Sequence, residues 1–453
     1  MFEKIILPKL PSSEIEKQFY TVLSVELGNT TIKSIILTTN VKTNQNYQIN
    51  KVVKLTREIR LPKESEIIFG HTIWERPLSK ESIEESISEI ISGCLNQANL
   101  KVSDLDFVVR STGVVALHSL SDEIGLIIKA LSDGCLNAGI KPNQMTAPFS
   151  INNIPNHIRQ YSFFNSIQFD GSVVSVTSPE KTGIVSNEME SELVTAGIKL
   201  ASKQSNVDYR NPLISIDMGT TLAGQVVDNS KPYAKVLCNF VGLAGGLPDI
   251  LLRGCGMIDQ NESTIDIENN RLSDGLNIQD IQKNTLKIHE YVDIMEVLDN
   301  IHDWGYVYIG DFEDTGMNII GSKINDENKI IKTFNSIVNN MSDEEILLQI
   351  DDICAYAIKR ICDETKRLGL LSEGMALGIT GRAGITGNKP VLINNYLKKD
   401  FNKILFVHDA LALGAVMMAR CMNSLGTPTN PIGGSKNGYC IMQQRIKKQK
   451  KVN

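Results

Sequence analysis

Two short segments, far apart in the chain, share the pattern of an apolar strand that runs into a polar turn. The first is VLSVELGNTTIKSIIL, from Val22 to Leu37, and the second is PLISIDMGTTLAGQVVD, from Pro212 to Asp228. In each copy the apolar run meets a carboxylate, and a glycine and a threonine follow at the same spacing. Apolar runs bounded by turn residues are typical of buried strands. The repetition therefore predicts a chain built from two similar halves.

The residue types at these two turns suit the binding of a polyphosphate. Glycine lets the backbone approach an anion, and turn amides and threonine hydroxyls donate hydrogen bonds to phosphate oxygens. The carboxylates, Glu26 in the first copy and Asp217 in the second, can hold a hydrated Mg²⁺ or orient a water. One copy alone is explained equally well as an ordinary β-turn. Two copies that face each other across a cleft favour the phosphate interpretation.

A third glycine-rich loop, LGITGRAGITGNKP, runs from Leu377 to Pro390 after another apolar strand. Its small residues leave room for a flat adenine ring and its ribose against the backbone. The loop has neither the GxxxxGK[ST] nor the GxGxxG pattern, so by itself it is a weak signal. A later segment, HDALALGAVMMARC, predicts a helix whose small residues, Ala412, Gly414 and Ala415, favour close helix packing.

The pattern between these motifs predicts an α/β architecture. Apolar residues at helical spacing predict helices over 80–97, 121–138, 187–204, 343–368 and 409–422. Apolar or alternating runs predict strands within 48–61, 105–116, 171–183, 218–241, 375–381 and 402–407. Strands and helices in alternation favour helices packed on a sheet.

The length of 453 residues indicates two or three domains. The polar segment SNVDYRNP at 205–212 predicts a linker, which places a first lobe at 18–208 and a second lobe at 209–425. Residues 260–342 are polar and rich in Asn and Asp, which predicts an irregular inserted subdomain in the second lobe. Residues 426–453 predict a loop followed by a basic tail.

Charge and cysteine usage exclude several classes of protein. Acidic residues (52) outnumber basic ones (46), which argues against a nucleic-acid partner, and the tail from Arg445 to Asn453 is most simply a solvated end. The sequence contains neither a signal peptide nor an apolar run of membrane-spanning length, so we expect a cytoplasmic protein with no membrane partner. The eight cysteines form no CxxC motif, which indicates core packing rather than a metal or redox site.

Three further segments are weaker candidates. RSTGVV at 110–115 is most simply a turn after a strand. LAGGLPDILLRGCG, from Leu243 to Gly256, fits either a cleft or partner loop or the tight packing of a helix, and the sequence leaves both open. His408 and Asp409 are adjacent, but no Ser/His/Asp or Cys/His arrangement can be assembled around them, so packing is the simpler interpretation.

The order of VELGNTT, IDMGTT, GITGRAG and ALALGAV resembles the actin, sugar kinase and Hsp70 ATPase superfamily, from Thr21 to about Met422. More closely, ELGNTTIKSI, TSPEKTGIVSNEMESELVTAGIKLA and VGLAGGLPDILLRGCGMID look like methanogenesis marker protein 14, an archaeal family of methane producers. The resemblance implies two lobes of ribonuclease-H-like topology with ATP and Mg²⁺ between them.

Site residues carry over from this resemblance by position. The first phosphate loop matches Gly28, Asn29, Thr30 and Thr31, the second matches Gly219, Thr220 and Thr221, and the adenosine loop matches Gly381, Arg382 and Gly384. Asp217 matches the metal-facing carboxylate, whereas Glu26 stands where most of the superfamily has Asp. Its extra methylene could still reach a metal through water, or it could mark a weakened catalytic position.

The resemblance implies an ATP-binding and ATP-hydrolysing protein in which Asp217 and Glu26 position Mg²⁺ and the attacking water. Relatives in the superfamily include reactivating factors for corrinoid enzymes, which implies a protein partner linked to methanogenesis and an activator or chaperone-like role. Two alternatives stay open. One is a small-molecule kinase, and the other is a sensor or scaffold that binds ATP without turnover. A homodimer is likewise left open.

Overall fold

The computed structural model describes residues 2–16, 18–43, 45–112, 121–145, 184–185, 188–205, 213–228, 235–242, 244–267, 278–298, 304, 308–309, 318–372 and 374–425. Their strands are β1 Phe2–Ile5, β2 Phe19–Leu27, β3 Thr31–Asn40, β4 Asn46–Leu55, β5 Ile68–His71, β6 Pro77–Ser79, β7 Phe107–Thr112, β8 Ile184–Val185, β9 Leu213–Met218, β10 Leu222–Asp228, β11 Lys235–Gly242, β12 Val292–Glu296, β13 Tyr308–Ile309, β14 Asn318–Ile324, β15 Ala376–Thr380 and β16 Ile404–Val407. Their α-helices are α1 Lys80–Gln97, α2 Ser121–Asn137, α3 Glu188–Ala201, α4 Leu247–Gly254, α5 Ile278–His289, α6 Glu327–Val338, α7 Asp343–Arg367, α8 Arg382–Ile385, α9 Lys389–Leu397 and α10 Ala410–Leu425.

The first repeated motif forms the centre of a four-stranded sheet in the order β4-β3-β2-β7. Strands β2, β3 and β4 are an antiparallel meander, and β7 lies parallel to β2 on its other side. Strand β2 is buried at every position but Glu26, as expected for an apolar strand that is covered on both faces.

The second repeated motif has the same place in a larger sheet, whose order is β1-β16-β15-β9-β10-β11-β14-β12. Strands β9, β10 and β11 repeat the antiparallel meander, and β15 lies parallel to β9 as β7 does to β2. The two sheets therefore share one strand order around the repeated motif. This confirms the predicted α/β fold of two ribonuclease-H-like lobes, the actin-like arrangement.

The larger sheet also contains strands that the sequence did not lead us to expect. We predicted an irregular insertion over 260–342, but its described parts include two helices, α5 and α6, and two strands, β12 and β14, that extend the sheet beyond β11. Frequent Asn and Asp obscured helical spacing such as that of Ile330, Phe334 and Val338, which are all buried. At the other edge, β1 pairs in parallel with β16, so a segment that we left outside both lobes completes the second sheet.

Helices α3 and α10 pack against different sheets and cross each other. Helix α3 contacts β9 and β10 of the larger sheet, whereas α10 follows β16 and contacts β2, β3 and β7 of the smaller one. At their crossing a methyl group on Gly197 would lie 1.7 Å from the carbonyl oxygen of Ala410, and one on Gly414 would lie 1.8 Å from that of Leu193. The crossing therefore requires glycine at both positions, in agreement with the small residues noted around Gly414.

Several predictions fall outside the described residues. The strand predicted at 171–183 and the tail at 426–453 are not described, and the domain bounds at 18–208 and 209–425 stay predictions. Helix α1 covers the predicted range and buries Ile83, Ile87 and Ile91. The helices of the described ranges include none that has both the length and the apolarity needed to cross a membrane.

Candidate functional site

The two repeated turns are similar but differ in length, since residues 28–31 lie between the last paired residues of the first and residues 219–221 lie between those of the second. In the first, the Gly28 amide donates to the carbonyl oxygen of Thr31 at 2.8 Å, and in the second, the Gly219 amide donates to that of Thr221 at 3.1 Å. Each turn joins the first strand of an antiparallel meander to the strand beside it. The sequence repeat thus forms two similar hairpin turns, each closed by a hydrogen bond from the amide of its glycine.

These turns meet between the two sheets. The hydroxyl oxygens of Thr30 and Thr220 lie 3.4 Å apart. Thr56, just after β4, holds the first turn from behind, because its hydroxyl donates to the Asn29 carbonyl at 2.7 Å and its amide donates to the Thr30 carbonyl at 3.0 Å. The first turn is therefore fixed by its own sheet and faces the second.

Two carboxylates and a lysine lie beside the turns. Hairpin register places Lys33 opposite Glu26, and its Nζ donates to Glu26 Oε2 at 3.2 Å. Burial raises the pKa of Asp217 to about 7, with a further contribution from the negative charge of Glu26. Burial disfavours the charged form of Lys33, but the carboxylates of Glu26, Asp409 and Asp217 outweigh it and raise the Lys33 pKa. The site thus has a concentrated negative charge that Lys33 only partly balances.

A third carboxylate, Glu190 near the start of α3, also lines the cleft and was missed from the sequence. Its side chain is buried, and its Oε2 has no hydrogen-bond partner among the described residues. Burial raises its pKa to about 8, and the charges of Asp217 and Glu26 add to this rise. The sequence shows several glutamates near this helix start, and only the helix packing determines that Glu190 faces inward.

Lys51 and Asp409 form an ion pair inside the same cleft. Lys51 Nζ lies 2.6 Å and 2.8 Å from the two carboxylate oxygens of Asp409. Asp409 has a left-handed backbone, with φ of 54°, just before α10. Its neighbour His408 also lines the cleft, and burial lowers the pKa of His408. We interpreted these two residues as packing, whereas the structure places both at the candidate site.

The third predicted loop lies against the second turn. In β15, Thr380 pairs with Asp217 of β9, and Gly381 follows with φ of +82°. A methyl group on Gly381 would lie 2.3 Å from Asp217 Oδ1 and 2.5 Å from the carbonyl oxygen of Met218. Only glycine fits this approach of the two loops, because both the backbone conformation and the space exclude a side chain.

The other two predicted residues of this loop differ in position. Arg382 lines the cleft, and its buried Nη1 has no hydrogen-bond partner in the described part of the chain. Burial lowers the pKa of Arg382. Gly384 lies outside the cleft lining, since a methyl group there would meet Ile379 at 2.7 Å. Gly384 is therefore a packing position behind the loop and not a contact within it.

The glycine-rich segment before α4 supports the second turn from behind. A methyl group on Gly245 would lie 1.7 Å from the Gly219 carbonyl oxygen and 3.1 Å from that of Thr220. Of the two interpretations left open for LAGGLPDILLRGCG, the described contacts favour packing, here against the turn itself. From RSTGVV, the described Thr112 donates its hydroxyl to the Leu27 carbonyl at 2.8 Å, and 113–115 lie outside the described residues.

The structure brings all the predicted site residues except Gly384 into one cleft of about 240 Å³. The predicted residues in its lining are Glu26, Gly28, Asn29, Thr30, Thr31, Asp217, Gly219, Thr220, Thr221, Gly381 and Arg382. A second cavity of about 220 Å³ adjoins it and shares Ile265, Arg382 and Thr386 with it. The second cavity is lined mainly by apolar side chains, among them Pro248, Leu252 and Ile350.

The cleft fits a polar ligand that carries a hydrated cation. Buried atoms that face it without a partner among the described residues include Asn29 Oδ1, Glu190 Oε2 and Arg382 Nη1. In the described ranges, no three His, Cys, Asp or Glu side chains are arranged to hold a metal ion by themselves. Mg²⁺ usually keeps several waters and takes only one or two protein carboxylates, so Glu26 and Asp217 fit it.

Solved structures with related folds were found at low similarity. A reductive activator for a corrinoid, iron-sulfur protein is 11% identical with a TM-score of 0.36, and the match covers 97% of this chain and 63% of that one. A ROK family glucokinase from Streptomyces griseus, in complex with glucose and AMPPNP, is 10% identical with a TM-score of 0.34, over 88% and 98% of the two chains. Likenesses at this level do not identify a function.

Sequence relatives are much closer. An uncharacterized protein of Methanothermobacter thermautotrophicus is 44% identical, over 95% of this chain and 83% of its own. An uncharacterized protein of Methanocaldococcus jannaschii is 42% identical, over 95% of this chain and 92% of its own. The model of the family described as "Uncharacterized protein conserved in archaea (DUF2114)" matches residues 19–449, and the chain belongs to this family.

Proposed function

We propose that the cleft binds ATP with Mg²⁺ and hydrolyses it. The observation that carries the proposal is the meeting of two similar hairpin turns at Thr30 and Thr220, beside two lysines and four carboxylates. Turn amides and hydroxyls on both sides would hold the β and γ phosphates. Lys33 and Lys51 would add positive charge, each exchanging part of its present contact with a carboxylate for a phosphate oxygen.

Glu26 and Asp217 would hold the hydrated Mg²⁺, which supplies charge neutralisation for the phosphates when it is bound. Lys33 restrains Glu26 by its 3.2 Å contact, so the longer side chain has a defined direction despite its extra methylene. Asp217 is fixed by its place at the end of β9 and by the close approach of Gly381. Both carboxylates are therefore oriented before a ligand arrives, which favours catalysis by positioning.

Glu190 would act as the base that accepts a proton from the attacking water. Its free Oε2 faces the cleft, and its raised pKa of about 8 lies near neutral pH, where a general base is most effective. The adenine ring would lie in the apolar second cavity, which begins at Arg382. Arg382 would then stack on the ring or donate its unpaired Nη1 hydrogen to the ribose or a phosphate.

In the cell, we infer that ATP turnover acts on a protein partner, as an activator or reactivator linked to methanogenesis. This part of the proposal, including the resemblance to methanogenesis marker protein 14, rests on the sequence motifs around Gly28, Gly183 and Gly245. A corrinoid or methanogenesis enzyme is the partner that we favour. The other possibilities are a sensor that binds ATP without turnover and a kinase in which a substrate hydroxyl takes the place of water.

The test measures Mg-ATP binding and phosphate release separately. We expect Asp217→Asn to weaken Mg-ATP binding and Glu190→Gln to keep binding but lose phosphate release by about a hundredfold or more. Asp400→Asn, which removes a surface carboxylate paired with Lys366, is the matched control and should change neither. Binding without phosphate release, with or without cell extract, would reject hydrolysis and leave the sensor. Binding that Asp217→Asn does not weaken would reject the site.

A further inference from the structure

One loop of the larger lobe crosses to the smaller one at the edge of the cleft. We call residues 259–267, which follow α4, the strap. On one side the strap is tied to α4, because the Thr264 amide donates to Asp249 Oδ1 at 2.7 Å and Arg253 Nη2 donates to the Glu262 carbonyl at 3.0 Å. These hydrogen bonds hold the strap in a defined conformation against its own lobe.

On its other side the strap is held by Arg57 of the smaller lobe. Arg57 Nη2 and Nη1 lie 2.8 Å and 2.9 Å from the two carboxylate oxygens of Asp266, and Nη1 also donates to the Asn261 carbonyl. The Arg57 guanidinium lies 5.8 Å from the centre of the Trp74 ring. A bidentate pair with an added carbonyl contact is among the stronger and more directional contacts between charged groups.

The charge environment agrees with this geometry. The hydrogen bonds from Arg57 lower the pKa of Asp266, and Asp266 in turn raises the pKa of Arg57. The same carboxylate also makes a hydrogen bond within the strap, because Asp266 Oδ2 accepts from the Ser263 amide at 3.0 Å. The contact therefore joins the internal structure of the strap to the smaller lobe.

Both residues of this ion pair are next in the chain to residues of the candidate site. Ile265, next to Asp266, lines the cleft and the second cavity, and Thr264 and Ile267 line the second cavity. Arg57, in turn, follows Thr56, whose side chain and amide hold the first turn. A strap that moves away from Arg57 would open a wall of both cavities.

We propose that the pair of Arg57 and Asp266 is a clasp that holds the strap over bound nucleotide and sets how fast the nucleotide enters and leaves. The proposal rests on the proposed function, because it assumes that the ligand is a nucleotide. With the clasp intact, Ile265 closes the side of the cavity. When the pair separates, the strap stays tied to α4 and swings out as one piece. Release of ligand would then depend on one surface-accessible ion pair.

The test uses fluorescent methylanthraniloyl-ATP with Mg²⁺ and stopped-flow displacement by unlabelled ATP. We expect Arg57→Gln and Asp266→Asn each to speed release of the probe about tenfold, as expected for the loss of a charge-assisted contact. Arg60→Gln is the matched control, because Arg60 makes a similar bidentate pair with Glu66 but stays within the smaller lobe. Higher salt should speed release from the wild type more than from Arg57→Gln.

A second measurement does not depend on nucleotide. Hydrogen exchange of the amides of 259–267 should be faster in Arg57→Gln than in the wild type, and unchanged in Arg60→Gln. Probe binding with release rates unchanged in both clasp variants would overturn the clasp and leave the proposed function in place. A wild-type protein that binds no probe would overturn both proposals. Exchange unchanged in Arg57→Gln would show that the pair does not hold the strap.

Discussion

The hydroxyl oxygens of Thr30 and Thr220 lie 3.4 Å apart, although the two residues belong to the turns of different sheets. Each threonine is at the point where a strand hairpin reverses, and each turn is fixed from behind, the first by Thr56 and the second by Gly245. The contact thus joins two rigid elements. A ligand that binds between the turns must replace this contact by contacts of its own.

We expect Thr220→Val to weaken binding of Mg-ATP by about tenfold, because one hydroxyl donor is lost while the shape of the side chain is kept. Isothermal titration calorimetry measures the change. Thr43→Val, in an exposed loop of the smaller lobe, is the control and should bind as the wild type does. Equal affinity in both variants would show that the Thr220 hydroxyl does not bind the phosphates.

Gly381→Ala should destabilise the fold by about 3 kcal/mol, because it adds backbone strain at φ of +82° to a clash with Asp217 and Met218. Gly369→Ala is a close control, since its φ is +70° and no atom lies within 4 Å of the added methyl. Gly369→Ala should lower the free energy of unfolding only by the backbone strain, about 1 kcal/mol. Urea unfolding of the two variants separates the strain from the clash, and equal losses would contradict the close approach at Gly381.

Gly414→Ala should disrupt the crossing of α3 and α10, because the methyl group would lie 1.8 Å from the Leu193 carbonyl oxygen. We expect a loss of about 3 kcal/mol or more, as helices forced apart lose packing along their length. Gly93→Ala in α1, where the methyl meets nothing within 4 Å, should instead stabilise by about 0.5–1 kcal/mol. If Gly414→Ala melted at the same temperature as the wild type, the two helices would not pack this closely.

The stability of the protein should fall with rising pH because of Glu190. Its pKa in the fold is about 8, whereas the pKa of a glutamate in an unfolded chain is about 4.3. The proton on Glu190 therefore makes its full contribution to the free energy of unfolding below about pH 4. This contribution is lost as the pH rises to about 8.

Glu190→Gln keeps the neutral shape and removes this loss. Relative to the wild type, the variant should gain stability between about pH 5 and pH 8, on the order of a few kcal/mol at the upper end. Thermal melting across this range checks the trend, with the exposed Glu290→Gln as a control that should show none. Parallel curves for Glu190→Gln and the wild type would mean that Glu190 is ionised in the fold.

Local patterns predicted the elements around the repeated turns, because the features that define them lie within a few residues of each other. The hairpin turns at Gly28 and Gly219 follow from strand, turn and strand in sequence order, and α1 follows from its apolar stripe. Lys33 could have been found in the same way, since a hairpin turn of this length sets it opposite Glu26.

The rest of the site depends on packing that no local pattern contains. Lys51 lies on β4, an edge strand of the smaller sheet, whereas Asp409 lies between β16 of the larger sheet and α10. The two residues meet only because β4 is placed beside the start of α10. Glu190 faces inward because of the way α3 crosses α10. Gly384 was expected in the site but is turned into the core, because α8 begins at Arg382.

The pairing of β1 with β16 also has a consequence for the order in which the molecule assembles. Phe2 lies beside Ile404, so β1 can pair with its neighbour only after the chain has been made as far as β16. Contacts between residues so distant in sequence close slowly during folding. The smaller sheet is complete in sequence much earlier, by β7. During synthesis on a ribosome, β1 would therefore stay unpaired until β16 had emerged.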